Sequence, residues 1–304
     1  MVELHLYTVT VTGSSPVVPI LVVFAMKEIC VLMLHHQPLS EPLLQRHIKA
    51  ARDLGLDVFP LSYDLKPEVD FFEDIGIKRD GQTPGYGNFK WCHMDFLVYE
   101  WWFSAGRPLY ERYLVVEYDT LFTEHPRSFY GSFYDDDAVA ACVFDIRKPE
   151  SHWPGGSTFK YWFDKTVGTA DFVANGYGHV LRGMMPIVCL FSHRCLSAMA
   201  ELFRANPWTR LAASELRCGS LAAMGGYEPS DLVVRNAPGH YYQSADPKLF
   251  SAYSTEPGIW HPVKDQAHQR EWEIARGAWA TRREWEIANG IPSHNFLPDN
   301  LTGT

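Results

Sequence analysis

The sequence predicts an α/β domain in which a mostly parallel sheet is flanked by helices. A short, continuous apolar run, Ile29 to Leu34, is followed by a helical pattern and then by a second short run. A further strand-like segment, Tyr113-Leu114-Val115-Val116, ends directly in acidic residues. With 304 residues and 46% hydrophobic content, the chain can bury the core of one large domain.

The first 25 residues are expected to lie outside that domain. Their apolar run, Pro16 to Met26, is about half of the ~18 to 20 residues that span a bilayer. It lacks the preceding basic segment of a secretory signal. Val11-Thr12-Gly13-Ser14-Ser15-Pro16-Val17 resembles the translated end of a transfer-RNA gene, so Met26 is the expected start.

Ile29 to Leu34 reads as a buried parallel strand, because such strands are apolar on both faces. Leu43 to Leu54 carries Leu43, Leu44, His47, Ile48, Ala51 and Leu54 at helical spacing and stops at Gly55. Leu56 to Tyr63 is a second strand, ending at Asp64, and the three segments open a right-handed βαβ unit. Residues 66–88, rich in Pro, Gly and charge, read as a long surface loop. Phe89 to Ser104 is helical again and stops near Gly106. The strand Tyr113 to Val116 runs straight into Glu117-Tyr118-Asp119, and Ala138 to Ile146 is read as one further strand. This alternation up to about residue 146 is the signature of a mostly parallel sheet.

Beyond it the rhythm breaks at Pro154-Gly155-Gly156 and Gly176-Tyr177-Gly178, with helices expected over Ser192 to Ala205 and Ser214 to Met224. The domain is expected to span residues 26–265, with a donor-binding half to about residue 146 and an acceptor-binding half after it. Residues 266–304 form a helical tail in which Arg270-Glu271-Trp272-Glu273-Ile274-Ala275 recurs as Arg283-Glu284-Trp285-Glu286-Ile287-Ala288. One duplication does not make a solenoid.

A net charge of −9 and a pI near 5.8 give no general attraction for nucleic acid or anionic lipid. A phosphate-bearing ligand must therefore be met by local cations or a metal. Aromatics at 14%, with ten Trp, suit a cleft that stacks planar or sugar rings. The six cysteines form no C-x-x-C pair and sit mostly in apolar runs, as reduced thiols of a cytoplasmic protein would. Cys189, His193 and Cys195 are read as core packing.

In open α/β sheets ligands bind outside the carboxyl ends of the strands. Glu117 and Asp119 are placed there, two residues apart, so that both carboxylates face one side of an extended segment. Alone, the same pattern also describes a solvated turn. Far downstream, His261-Pro262-Val263-Lys264 joins an imidazole, a good Mn²⁺-class ligand, to an ammonium that suits a phosphate oxygen. Asp135-Asp136-Asp137 is a rival acidic triplet, but it precedes a strand, the wrong end of a parallel sheet unless that strand runs antiparallel. Donor-side candidates are His35 after the first strand, Asp64 after the second, and Lys90 and Asp95 on one helix. Glu215 can take a proton from an acceptor hydroxyl, with Asp171 and Glu228 as substitutes, although Ser214-Glu215-Leu216 also reads as an ordinary helix start capped by Ser214.

An N-terminal βαβ unit, a strand ending in Glu117-Tyr118-Asp119 and a late His261-Pro262-Val263-Lys264 together resemble the GT-A nucleotide-sugar glycosyltransferases over about Lys27 to Lys264. That family uses a D-x-D-type motif and a C-terminal metal-binding His. The resemblance implies a GT-A-like (Rossmann-like) sheet, a Mn²⁺ or Mg²⁺ cofactor on Glu117, Asp119 and His261, and Lys264 facing the diphosphate. Its implied partners are a nucleotide-sugar donor and a hydroxyl acceptor. The chain departs from the motif in having Glu at the first acidic position. Two alternatives stay open: a nucleotidyltransferase or sugar-nucleotide pyrophosphorylase, and a non-catalytic carbohydrate-binding protein. His35-His36-Gln37-Pro38 is not the Gly-rich basic loop expected of the first. Serine hydrolases and kinases are disfavoured by the lack of a G-x-S-x-G elbow and a P-loop.

Overall fold

The computed structural model describes residues 26–35, 38–62, 94–104, 109–140, 143–145, 167–184, 188–232, 248–249, 258–261 and 263–264. The chain opens with β1 (Lys27–His35), α1 (Pro42–Asp53) and β2 (Asp57–Ser62), then α2 (Phe96–Ser104), β3 (Tyr110–Glu117), β4 (Leu121–Phe122) and α3 (Pro126–Tyr130). Next come β5 (Ala138–Ala140), β6 (Val143–Asp145), α4 (Val167–Ala174), β7 (Arg182–Met184), β8 (Cys189–Ser192), α5 (His193–Ala205) and α6 (Ser214–Met224). Four two-residue strands close the set: β9 (Ser230–Asp231), β10 (Lys248–Leu249), β11 (Ile259–Trp260) and β12 (Val263–Lys264).

A six-stranded sheet with the order β2-β1-β3-β8-β5-β9 organises the fold. β1 pairs in parallel with β2 and β3, and β5 with β9, whereas β8 runs antiparallel to both β3 and β5. Five strands therefore point one way, and their carboxyl ends form a single edge. The predicted α/β class and mostly parallel sheet are observed, with strands from both halves of the chain in one sheet.

Strand periodicity sorts the core into two layers. Ile29, Val31 and Met33 of β1, with Leu114 and Val116 of β3, pack against Leu43, Leu44, Ile48 and Ala51 of α1. Cys30, Leu32 and Leu34, with Tyr113 and Val115, face the other way onto α2, α5 and α6. β1 is buried from Ile29 to His35 because helices cover both its faces, which explains its unbroken apolar run.

α1 starts where Pro42 takes the first turn and the Glu41 carboxylate accepts from the Leu44 amide at 2.7 Å. It ends before Gly55, whose φ of +80° suits a residue without a Cβ. β3 extends at both ends of the expected segment, so Glu117 is its last residue rather than the first beyond it. The run Ala138 to Ile146, expected as one strand, is a correction. It yields β5 in the main sheet and β6 in a separate antiparallel ribbon with β7. The expected Ser214 cap is a second correction: Ala213 occupies the cap position and Ser214 lies inside α6. The N-terminal extension, the 66–88 loop, the tail repeat, Asp64 and Lys90 fall outside the described residues.

Candidate metal centre

β3 delivers the site. Hydrogen-bonded to β1 along its length, with Leu34 opposite Glu117, it carries Glu117 to the carboxyl edge of the sheet, and the chain then turns at Tyr118-Asp119. Alternation sends the Tyr118 ring into the core layer of α1 and leaves the carboxylates of Glu117 and Asp119 for the opposite side. The turn is closed by the Thr120 amide donating to the Glu117 carbonyl at 3.1 Å.

His261 arrives from the far end of the chain through a small β-bridge. β11 pairs antiparallel with β4, Ile259 opposite Phe122 and Trp260 opposite Leu121. Around it, the Thr123 amide donates to the Gly258 carbonyl at 3.0 Å, the Trp260 indole to the Thr123 hydroxyl at 3.2 Å, and the Val263 amide to the Asp119 carbonyl at 2.8 Å. Leu121, Trp260 and Val263 form a small apolar cluster against Ala50 of α1. Bridged in this way, His261 Nε2 lies 2.8 Å from Glu117 Oε2 and 3.1 Å from Asp119 Oδ1. The ligating atoms of the three residues all fall within 4.8 Å of one another.

This donor set fits a divalent cation. Two carboxylate oxygens and an imidazole nitrogen suit an ion between hard and borderline, such as Mn²⁺ or Mg²⁺. The electrostatics agree. Burial disfavours a charged His261, yet the Asp119 and Glu117 carboxylates outweigh that and push its pKa up to about 9. Two acids held this close and largely out of water call for a positive charge, which the imidazolium can supply.

The other expected residues divide. His35, buried, ends β1 at the same edge, beside Ser62 of β2. Lys264 lies on β12, paired with Leu249 of β10. Asp95 precedes α2, and its buried carboxylate is bidentate to the fully buried Arg217 of α6, with Nε at 2.7 Å and Nη2 on the other oxygen. The guanidinium also stacks on Phe96, 4.2 Å from the ring centre. Asp95 and Cys218 line a small cavity together with Leu34 and Val115, just below the carboxyl edge. This places Cys218 of α6 in the same layer as Leu34 and Val115. Glu215, two residues before Arg217, is partly buried, accepts from the Ser214 hydroxyl at 3.1 Å, and has its pKa raised by burial to about 7. Asp171, on α4, is raised by burial, whereas Glu228 pairs with Arg182.

The rival triplet sits at the other end of the sheet. β5 runs in the same sense as β3, so Asp137, immediately before it, lies beside Arg112 at the amino end of β3. Asp137 holds Arg194 at 2.7 and 2.8 Å and the Ser192 hydroxyl at 2.6 Å, while Asp136 accepts from Ser230. Cys189 and Cys195 are buried thiols whose pKa burial raises, and the His193 ring meets the Tyr113 hydroxyl at 2.8 Å. No described helix is long and apolar enough to cross a membrane.

Sequence reasoning missed Thr123. Thr123 stitches the bridge that presents His261, but a threonine in a turn carries no signal of that task.

No protein-family model matches the chain, and no curated protein matches it. Among solved structures, the chain is similar to a glycosyltransferase involved in the glycosylation of the major capsid of PBCV-1. The two share 10% identity at a TM-score of 0.37, over 81% of this chain and 99% of that one. A likeness of that size carries no argument for activity, which must come from the site.

Proposed function

We propose that the chain is a metal-dependent glycosyltransferase of GT-A type that moves a sugar from a nucleoside-diphosphate donor to a hydroxyl acceptor. One observation carries the reading: Glu117, Asp119 and His261 converge at the carboxyl edge of a mostly parallel sheet. These residues hold Mn²⁺ or Mg²⁺. When bound, the ion supplies Lewis-acid neutralisation of the charge that develops on the departing diphosphate. Lys264 follows His261 closely in sequence and offers the diphosphate an ammonium. His35, at the end of β1, faces the nucleoside, with Asp64 and Lys90 as further donor contacts.

Glu215 acts as the base. As the acceptor oxygen bonds to the anomeric carbon and the bond from that carbon to the phosphate oxygen breaks, the hydroxyl proton passes to the Glu215 carboxylate. A pKa near 7 makes Glu215 a stronger base than an exposed glutamate while leaving part of it ionised at neutral pH. Asp95 serves here through Arg217, whose guanidinium it holds beneath the first turn of α6.

The test is a thermal-shift screen of nucleoside diphosphates and nucleotide sugars with and without Mn²⁺. A donor at 100 times its Kd adds about 2.7 kcal/mol of stability, and the shift is expected to vanish with chelator. A shift indifferent to chelator identifies a carbohydrate-binding protein instead. Pyrophosphate release from a nucleoside triphosphate and a sugar phosphate identifies a nucleotidyltransferase.

A further inference from the structure

We infer that His47 is a positioning residue for the metal turn: from α1, its ring grips the backbone between the two acidic ligands and fixes the direction in which they point. The inference rests on the metal reading above and extends it to a residue outside the ligand set.

The carbonyl oxygens of Glu117, Tyr118 and Asp119 each have a distinct acceptor role. The Glu117 carbonyl takes the Thr120 amide at 3.1 Å and the Asp119 carbonyl takes the Val263 amide at 2.8 Å. The Tyr118 carbonyl, between them, meets His47 Nδ1 at 2.8 Å. With its carbonyls engaged, the turn addresses an ion through its side chains. Two of these bonds are local or come from the neighbouring β-bridge. The one from His47 crosses from a different element, 71 residues earlier, and ties the turn to α1 of the first βαβ unit.

His47 suits this task. It is fully buried on the face of α1 that packs under β1 and β3, with Leu43, Leu44, Ile48 and Ala51 as its neighbours along the helix. A carbonyl only accepts, so His47 Nδ1 must carry a proton, which fixes the ring's protonation at that atom. Ala50, one turn along the same helix, touches the Leu121, Trp260 and Val263 cluster that presents His261. One helix thus braces both arms of the site, the acidic turn through His47 and the histidine arm through Ala50. An apolar residue at position 47 would fill the space and leave a buried carbonyl without its donor, so the turn would be free to rotate its peptide and draw the carboxylates apart. Partners that orient metal ligands from outside the coordination sphere typically cost 10- to 100-fold in affinity when removed.

The experiment compares Mn²⁺ binding to the full chain and to H47L and H47N, by titration calorimetry and by the Mn²⁺ electron paramagnetic resonance signal. Asn places an amide N–H where His47 Nδ1 stands, and Leu does not. H47L is expected to lose about 10-fold or more in Mn²⁺ affinity, and H47N is expected to stay within about 3-fold of the parent. Equal binding by parent and H47L, or equal losses in H47L and H47N, overturns the positioning role. A parent that binds no Mn²⁺, and matches D119N in this, overturns the metal reading itself. Should H47L fail to fold, the ¹⁵N spectrum of histidine-labelled parent protein decides. The expected result is a His47 ring protonated at Nδ1, and a neutral ring protonated only at Nε2 overturns the inference.

Discussion

Two acidic groups stand at opposite ends of the same sheet, and their surroundings differ more than their sequences do. At the carboxyl edge, Glu117 and Asp119 share the His261 imidazole, which arrives 144 residues after Glu117. At the amino edge, Asp136 and Asp137 are satisfied by Arg194, Ser192 and Ser230, a permanent cation and hydroxyls. Paired with arginine, a carboxylate gains nothing from a metal. Paired with a histidine that two acids keep protonated, it still meets a partner able to exchange a proton for a ligand bond. Acidic spacing alone therefore does not separate a site from a structural knot. The end of the strand and the identity of the partner do.

The largest expected contrast comes from D119N and D137N. D119N is expected to lose the whole Mn²⁺-dependent stabilisation, about 2.7 kcal/mol at 100 times Kd, whereas D137N keeps it; loss in D137N alone would reverse the assignment of the two ends. The next effect concerns pH. Glu215 has a folded pKa of about 7 against an ordinary 4.5, so its contribution to stability is full below pH 4.5 and is lost as pH rises through 7. E215Q is expected to flatten that slope in urea titrations and, in an active preparation, to lower kcat more than it raises KM.

Smaller effects belong to the amino edge. Burial opposes ionisation of Asp137, but Arg194 and Ser192 outweigh it and hold its pKa below 3.8. Its stabilisation is therefore present above pH 3.8 and lost as pH falls through the lowered value. Arg194 is largely exposed, so D137N is expected to cost only about 1 kcal/mol in urea denaturation. Smallest is E28Q, which breaks an exposed pair with Arg127. Its cost should stay below about 1 kcal/mol and fade in 1 M salt.

The contrast also shows what a sequence reveals. β1, α1, β2 and β3 were legible because their signals are local: an apolar run, helical spacing, a glycine stop. The reversal of β8 was not, since Cys189 to Ser192 is equally apolar whichever way it runs, and only pairing with β3 and β5 sets its direction. Ala138 to Ile146 misled because a continuous apolar run does not show where a chain leaves one sheet for another. Of the site, Glu117 and Asp119 could be found from their place at the end of a strand, and His261 from its chemistry. Their convergence depends on β4 and β11, two residues each, too short to have any periodicity. His47 was hidden by its position, since it occupies a regular place on the buried face of α1 and looks like core.

The β-bridge between Leu121–Phe122 and Ile259–Trp260 has a consequence for the life of the chain. Because the acidic turn is made early in synthesis and its histidine late, a chain that stops short of residue 261 lacks the third member of the Glu117, Asp119 and His261 cluster. On the proposed metal reading, an ion held by these three residues would close a loop of more than a hundred residues and act as a reversible clasp on the domain.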